Sequence, residues 1–344
     1  MDEIKVAVIG YGGCWNMGKT HLTDMKDAGM TPVAVCEMIE ERRALAARDF
    51  PGIKTFARLE DLLARSEAQL ITIITPHHTH AELALTCLRA GRHVVCEKPL
   101  AITLTDCDAM IAEAKARNKV LSTYHNRHWD GFIMKALERV HAGDIGKVLR
   151  VDAWRGDYEK PLDTWRGSRS QSGGILYDWG VHYLEYGLQL MGDCEIAEVS
   201  AYGSQGFWAG QSSWGGDTIE DEAETLVRFR DGRRLRLSIS HIESNPRPGF
   251  LEVTGTLGSM TLTWDHVEVV THAGKDVRVT RYANPKDEWG RFYTNIANHL
   301  KAGEPLVISS EWARRPIFIL DLAARSAAAG MAIQTSEDSA KGKK

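Results

Sequence analysis

Asp178 and His182 stand four residues apart in the segment S-G-G-I-L-Y-D-W-G-V-H-Y-L-E, which runs from Ser172 to Glu185. In a helix that spacing puts both side chains on one face. The face would then carry a proton acceptor, the His182 imidazole, and a carboxylate able to orient it or balance its charge. Many helices carry an Asp and a His at this spacing for no chemical reason, so the pair needs a partner. One candidate is Lys98 in Glu97-Lys98-Pro99-Leu100, whose ammonium could donate to a substrate oxygen or relay a proton. A cis bond before Pro99 would aim Lys98; the alternative is an exposed lysine before a turn proline.

Elements upstream supply a place for a nucleotide. The first apolar run ends in Gly10-Tyr11-Gly12, and a helix is predicted to begin near Gly18. A dinucleotide-binding turn needs a glycine for the tight turn, a second for close backbone approach, and a helix N-terminus facing the pyrophosphate. Here G-Y-G-G-C-W-N-M-G is three residues longer than G-x-G-x-x-G, which leaves a purely structural Gly-rich loop as the alternative. Glu37 ends the second strand, where a carboxylate accepts from both ribose hydroxyls and repels a 2′-phosphate, favouring NAD over NADP. Arg42 and Arg43 follow and could reach a phosphate.

The run Thr75-Pro76-His77-His78-Thr79-His80 holds three histidines in four residues. No matching carboxylate or cysteine cluster accompanies them, so no metal site is expected. The expectation is cofactor contact from the Thr75-Pro76 backbone or His78, with the remainder starting a helix.

From Lys5 to about Tyr124, β-branched runs alternate with helical patterns such as Glu40 to Arg48 and Ala81 to Ala90. Strands apolar throughout and separated by helices predict a doubly wound α/β half with a parallel sheet. Past Asp130 come strand candidates at Val148–Trp154, Glu222–Arg230, Arg234–His241, Phe250–Gly255, Ser259–Trp264 and Val267–Thr271, with an Asp231-Gly232 hairpin signal. They predict an α+β domain with a large, mostly antiparallel open sheet. Such a sheet can present one face to a second copy, so a homodimer or homotetramer is expected. Two helical patterns, Glu288–Leu300 and Ser310–Ala328, close the chain. The expected division is residues 1–124 for the first domain, 125–333 for the second and 334–344 as a disordered tail. The Gly-, Ser- and Trp-rich stretch from Tyr202 to Asp221 reads as a long loop, functional or mobile.

Composition narrows the class. At 344 residues there is room for two cores, and 43% hydrophobic with 26% charged residues is a globular balance. A net charge of −4 argues against nucleic-acid binding as the main function. Neither a basic leader with an apolar core nor an apolar run of roughly 20 residues is present, so the expectation is a cytoplasmic protein without membrane contact. Cys14, Cys36, Cys87, Cys96, Cys107 and Cys194 form no C-x-x-C pair and are expected as buried thiols.

Together the Gly-rich turn, T-P-H-H-T-H-A-E, E-K-P-L, H-N-R-H-W-D at 125 to 130, S-G-G-x-x-x-D-x-G-x-H and G-T-L-G-S at 255 to 259 resemble the Gfo/Idh/MocA family of glucose-fructose oxidoreductase and inositol dehydrogenase relatives. The resemblance implies a Rossmann domain, an open-sheet domain and hydride transfer between a sugar-like alcohol and nicotinamide. It matches Lys98 to the E-K-P lysine and Asp178 and His182 to the D-x-G-x-H pair. Three positions depart from the pattern: the first turn is longer, Ser172 stands where glycine is common, and Glu185 where aspartate is common. The longer turn brings Asn16 and Met17 into the expected cofactor set with Gly10, Gly12, Glu37, Thr75, Pro76, His78, Glu97, Lys98 and Asn126.

In this reading His182 is the general base for a sugar, glycoside or cyclitol hydroxyl, Lys98 steadies the developing alkoxide, and Asp178 binds a neighbouring hydroxyl or orients His182. Arg127, Arg155, Asp157, Tyr158, Trp165 and Arg166 flank that helix with the donors, carboxylate and aromatic faces a polyol pocket wants, each alternatively structural. Two other functions stay open: redox-assisted glycoside cleavage that recycles a tightly bound NAD, and a non-catalytic dinucleotide-responsive regulator.

Overall fold

Two sheets organise residues 3–13 and 15–336, the part of the chain that the computed structural model describes. The first holds β1 (Lys5–Ile9), β2 (Thr31–Cys36), β3 (Lys54–Phe56), β4 (Leu70–Ile73), β5 (His93–Cys96) and β6 (Leu121–Thr123) in the order β3-β2-β1-β4-β5-β6, every pairing parallel. Helices α1 (Met17–Asp27), α2 (Glu40–Asp49), α3 (Leu59–Arg65), α4 (His80–Arg89) and α5 (Leu104–Ala116) connect them. Apolar runs such as L-I-T-I in β4 are buried on both faces because helices cover both sides of a parallel sheet. The order reverses between β1 and β4, the switch point where such folds bind ligands.

After α6 (Gly131–His141) the chain builds β7 (Val148–Gly156), α7 (Arg169–Ser172), α8 (Val181–Met191), β8 (Ile196–Ser204), β9 (Glu222–Phe229), β10 (Arg234–Ser240), β11 (Leu251–Gly255), β12 (Gly258–Leu262), β13 (His266–Ala273) and β14 (Asp276–Ala283). Helices α9 (Arg291–Ala302) and α10 (Ser310–Ala329) and the short β15 (Ile333–Gln334) follow. The second sheet runs β14-β13-β12-β11-β7-β10-β9-β8-β15, antiparallel except where β10 lies parallel to β7. In β9 the residues Ala223, Thr225, Val227 and Phe229 are buried while Glu222, Leu226 and Arg228 are exposed, the alternation of a sheet with one covered face. Helices α6 and α8 lie on the covered face. The other face carries charge pairs along its rows, Glu198 with Arg228, Glu224 with Arg236, Arg150 with Asp152, and Glu268 with Arg281.

Four expectations are corrected in detail. Residues 290–317 cluster with 1–126, not with the second sheet. The cause is the buried face of α9, Phe292, Tyr293, Ile296 and Ala297, together with Ser122 Oγ donating to the Ile308 carbonyl at 2.7 Å and Arg314 pairing with Asp108. The tail expected to be disordered from 334 begins as β15, paired with β8, and the Thr335 N–H donates to the Ala197 carbonyl at 2.9 Å. An open strand edge satisfied those backbone groups; residues 337–344 lie outside the described ones. Strands β8 and β14 were not anticipated, and the loop expected from Tyr202 begins only after Ser204, then holds two short 3-10 turns at Ala209–Gln211 and Gly215–Asp217. Among the described residues Cys36, Cys87, Cys96 and Cys107 are buried and Cys194 is half-buried; Cys14 lies outside them. No helix among them is long and apolar enough to cross a membrane.

One histidine couples this fold to pH. His93, at the start of β5, accepts the Val120 N–H at Nδ1, 3.0 Å away. Burial, then Lys119 and His299, push its imidazole down to about 4 from an ordinary 6.5. Between those values the unfolded chain binds a proton that the fold refuses, so stability is lost as pH falls from 6.5 towards 4. His93→Asn keeps an acceptor without titrating. Its urea midpoint should therefore fall less steeply than wild type across that window; equal slopes would reject the assignment.

Candidate active site

Within the first unit the nucleotide end starts at β1. Gly10 and Gly12 have φ of 100° and 66°, values that side chains rarely adopt, and Asn16 is left-handed at φ 42°. The Asn16 side chain accepts the Gly12 N–H at 2.8 Å, so the longer turn closes on itself before α1 begins at Met17. A Cβ on Gly18 would stand 2.6 Å from the Gly10 carbonyl oxygen and 2.8 Å from the Tyr11 ring, which shows how tightly α1 seats on the turn. The first turn of α1 holds no acidic residue and presents its N-terminal N–H groups to an anion. Glu37 is buried, its two oxygens accepting the Tyr11 and Ile39 N–H groups at 3.0 and 2.9 Å. Each carboxylate oxygen keeps a further lone pair for a ribose hydroxyl. These residues fit a dinucleotide. Arg43 donates to the Glu37 and Met38 carbonyls, each at 2.7 Å, while Arg42 packs its stem beside Gly12.

The histidine-rich turn is divided in use. His78 is exposed, His77 is buried, and His80 is fully buried with Nδ1 2.8 Å from the Pro99 carbonyl and Nε2 2.9 Å from the Thr75 carbonyl. His80 thus sits between the turn after β4 and the turn after β5, where burial lowers its pKa. The Pro76 carbonyl accepts from both the Thr79 hydroxyl, at 2.7 Å, and the Thr79 N–H, at 3.0 Å, so both of its lone pairs are used, and the Thr75 and Thr79 hydroxyls lie 2.6 Å apart. No group of three metal-binding side chains occurs among the described residues.

Lys98 follows β5, half-buried, and its bond to Pro99 is cis. Its backbone N–H donates to Glu97 Oε2 at 3.0 Å. Burial alone would raise the Glu97 carboxyl; the His21 hydrogen bond at 3.0 Å and the Lys98 charge and N–H outweigh it and hold Glu97 below the ordinary carboxylate range. His21 was not singled out from sequence, although its place one turn into α1 was the available signal. Asn126, the last expected cofactor contact, is half-buried in the 3-10 turn Asn126–Trp129.

Within the second unit the Asp178 segment is helical but not uniformly α. Residues Leu176–Gly180 form a π turn that runs into α8, so Asp178 and His182 straddle a junction where the i+4 register expected from sequence gives way to i+5. Gly173 and Gly174, at φ 94° and 115°, let the chain enter the turn, and Gly180 sits against Leu237 of β10. Ser172 needs no glycine conformation: its hydroxyl donates to the Ser168 carbonyl at 2.7 Å and accepts the Gly174 N–H. His182 is buried, 6% exposed, whereas Asp178 is half-buried with Arg166 Nε 3.7 Å from its carboxylate.

Around the turn the expected substrate residues gather on Trp179. The Arg127 and Arg155 guanidinium groups lie 5.0 and 4.5 Å from its ring centroid, and His182 is 5.8 Å away ring to ring. Arg155 faces Asp157 at 3.6 Å, and Asp157 is held below the carboxylate range by His241 at 2.6 Å and by Arg155, against the opposing effect of burial. Arg166 stacks on Trp165 at 4.3 Å. Tyr158 stands apart from this group, exposed and packed edge-on against Phe207 and Trp208 of the Trp-rich loop. Glu185 is buried under His128, 2.6 Å away, and Gln189, 2.9 Å away, so it serves as an anchor for the H-N-R-H-W-D segment.

A parallel sheet with this glycine turn and a buried Glu37, with a second unit that carries Asp178, His182 and arginines, fits the class of NAD(P)-dependent oxidoreductases. The chain belongs to the Gfo/Idh/MocA family, for residues 4–125 match its oxidoreductase domain with NAD-binding Rossmann fold and residues 133–261 match its C-terminal domain. It is similar to a myo-inositol 2-dehydrogenase of Thermotoga maritima, 29% identical over 90% of this chain and 91% of the relative. A scyllo-inositol 2-dehydrogenase (NADP(+)) of Bacillus subtilis is 23% identical over 95% and 94%. A levoglucosan dehydrogenase structure, in complex with NADH and levoglucosan, shares the fold with a TM-score of 0.84 at 22% identity, covering 97% of this chain and 100% of that one.

The seat of α1 on the turn is testable. Gly18→Ala forces backbone apart at Gly10, and dinucleotide Kd, read by fluorescence titration, should rise about tenfold or more, a loss of roughly 1.4 kcal/mol. Unchanged affinity would show that the turn does not carry the pyrophosphate.

Proposed function

We propose that this protein oxidises a secondary alcohol of a sugar, glycoside or cyclitol with NAD. The observation that carries the reading is the half-buried Asp178 and buried His182 on a π-to-α junction, beside Trp179 and its arginines. When bound, the nicotinamide takes or returns the hydride. His182 removes the hydroxyl proton, a task suited to an imidazole that must work in both directions near neutral pH. Lys98 donates to the same oxygen and steadies its developing negative charge. Asp178 accepts from a neighbouring hydroxyl or orients His182, with Arg166 Nε 3.7 Å from its carboxylate. Arg127 and Arg155, held over the Trp179 ring, offer N–H groups to further hydroxyls. The substrate class follows the inositol and levoglucosan dehydrogenases to which the chain is similar.

NAD over NADP rests on Glu37, whose buried carboxylate would repel a 2′-phosphate. The charge-laced open face of the second sheet supports self-association, since each row carries both signs and can meet its own copy about a two-fold axis. Sedimentation velocity should then give a dimer or tetramer at micromolar concentration, and a monomer there would refute it.

Turnover is to be screened on hexoses, glycosides and inositols at 340 nm with NAD and NADP in parallel. Lys98→Ala and His182→Ala should each lower kcat on the best substrate by at least about 10²-fold with dinucleotide affinity largely kept. Wild-type kcat in both would defeat the assignment, faster turnover with NADP would overturn the NAD reading, and product formed without free NADH would favour redox-assisted bond cleavage.

A further inference from the structure

Beneath the Lys98 turn the first unit holds a run of hydrogen bonds drawn from four elements. The Thr72 hydroxyl of β4 lies 3.1 Å from the Tyr293 hydroxyl of α9. That hydroxyl lies 2.7 Å from His21 Nδ1 of α1, and His21 Nε2 lies 3.0 Å from Glu97 Oε1 after β5. The other Glu97 oxygen holds the Lys98 N–H. Thr72, His21 and Tyr293 are all 0% exposed. Water therefore does not set the tautomer of the ring; its neighbours do.

The polarity of the run follows from its end. An ionised carboxylate can only accept, so His21 Nε2 carries a proton towards Glu97. At the other nitrogen, burial pushes the Tyr293 phenol well above its ordinary pKa, so it keeps its proton and can donate to Nδ1 while accepting from Thr72. Other ionisable groups packed here are Asp24, which accepts from the Tyr124 hydroxyl at 3.0 Å, and Tyr124 itself, whose ring is 4.2 Å from His21. Neither takes the His21 nitrogens, which Tyr293 and Glu97 occupy.

We propose that His21 is a positioning residue for Lys98: its Nε2–H anchors the Glu97 carboxylate, which in turn holds the backbone of Lys98, while Tyr293 and Thr72 fix the imidazole. The inference rests on the role given to Lys98 above. It makes α1, the helix that seats the dinucleotide turn, also the element that locks the lysine turn. It also gives the returning segment around α9 a task at the site. A misplacement of about 1 Å at a reacting group can cost up to 10²-fold in rate, so loss of the anchor should show in kcat.

The test compares His21→Leu, which removes the donor, with His21→Gln, whose amide N–H can stand at the Nε2 position, and with Tyr293→Phe. Full-length variants are assayed with NAD and the fastest alcohol of the panel, with dinucleotide Kd and Tm measured alongside. His21→Leu should lower kcat about tenfold or more, with alcohol KM and dinucleotide Kd changed far less, and His21→Gln should restore most of that loss. Tyr293→Phe should fall between. A role confined to packing would lower Tm in all three variants and leave kcat at wild type below the transition, which overturns the proposal; so does a kcat loss that His21→Gln leaves unrestored. Should His21→Leu fail to fold, wild-type kcat in Tyr293→Phe overturns it equally. Lys98→Ala separates the layers: inactive Lys98→Ala beside a fully active His21→Leu sinks this inference alone, whereas an active Lys98→Ala sinks the role of Lys98 and this inference with it.

Discussion

The ionised carboxylate of Glu97, half-buried just after β5, is a constraint on which the packing of the first unit depends. A carboxylate drawn partly out of water needs donors brought to it, and one comes from α1 while another comes from its own chain at Lys98. The α1 donor is an imidazole, which needs its own second nitrogen satisfied. Tyr293 does that, and it belongs to a helix almost two hundred residues downstream. Holding one carboxylate thus draws α1, β4, β5 and α9 into a single core.

The second unit solves a similar problem several times over. Asp130, 1% exposed, accepts from Arg127 at 3.2 Å, Tyr186 at 2.6 Å and Trp289 at 2.5 Å. Burial nevertheless leaves its pKa raised, against the lowering by those partners. The Arg127 guanidinium, bonded to that carboxylate, stands over the Trp179 ring at 5.0 Å. Asp157 plays the corresponding part for Arg155. Carboxylates bonded to these arginines therefore help decide where they point, over Trp179 and next to His182.

Much was legible along the chain. Continuous apolar runs such as V-A-V-I and L-I-T-I could bury both faces only in a helix-covered parallel sheet, and alternating runs such as Glu222–Phe229 could bury only one. The glycines at 10 and 12 were legible as a tight turn because few residue types tolerate their backbone angles. Other features left weaker traces. In β14 the pattern D-V-R-V-T-R-Y-A alternates, yet its Val277 and Val279 remain exposed, so the alternation did not correspond to a buried face. Asn16, expected as a cofactor contact, also closes the longer turn, its side-chain oxygen accepting the Gly12 N–H.

By itself the sequence determined the two architectures, the family motifs and the residue types able to move a proton, because periodicity and backbone tolerance are local properties. Tertiary structure alone decided which core α9 joins, since a 3.6-residue stripe reveals that a face is buried and not what buries it. It alone placed a π turn under Asp178, because one inserted residue in a helix depends on close packing at Gly180 against β10 rather than on local propensity. It alone revealed His21: the hydrogen bonds that give that imidazole its meaning reach Glu97 and Tyr293, 76 and 272 residues away.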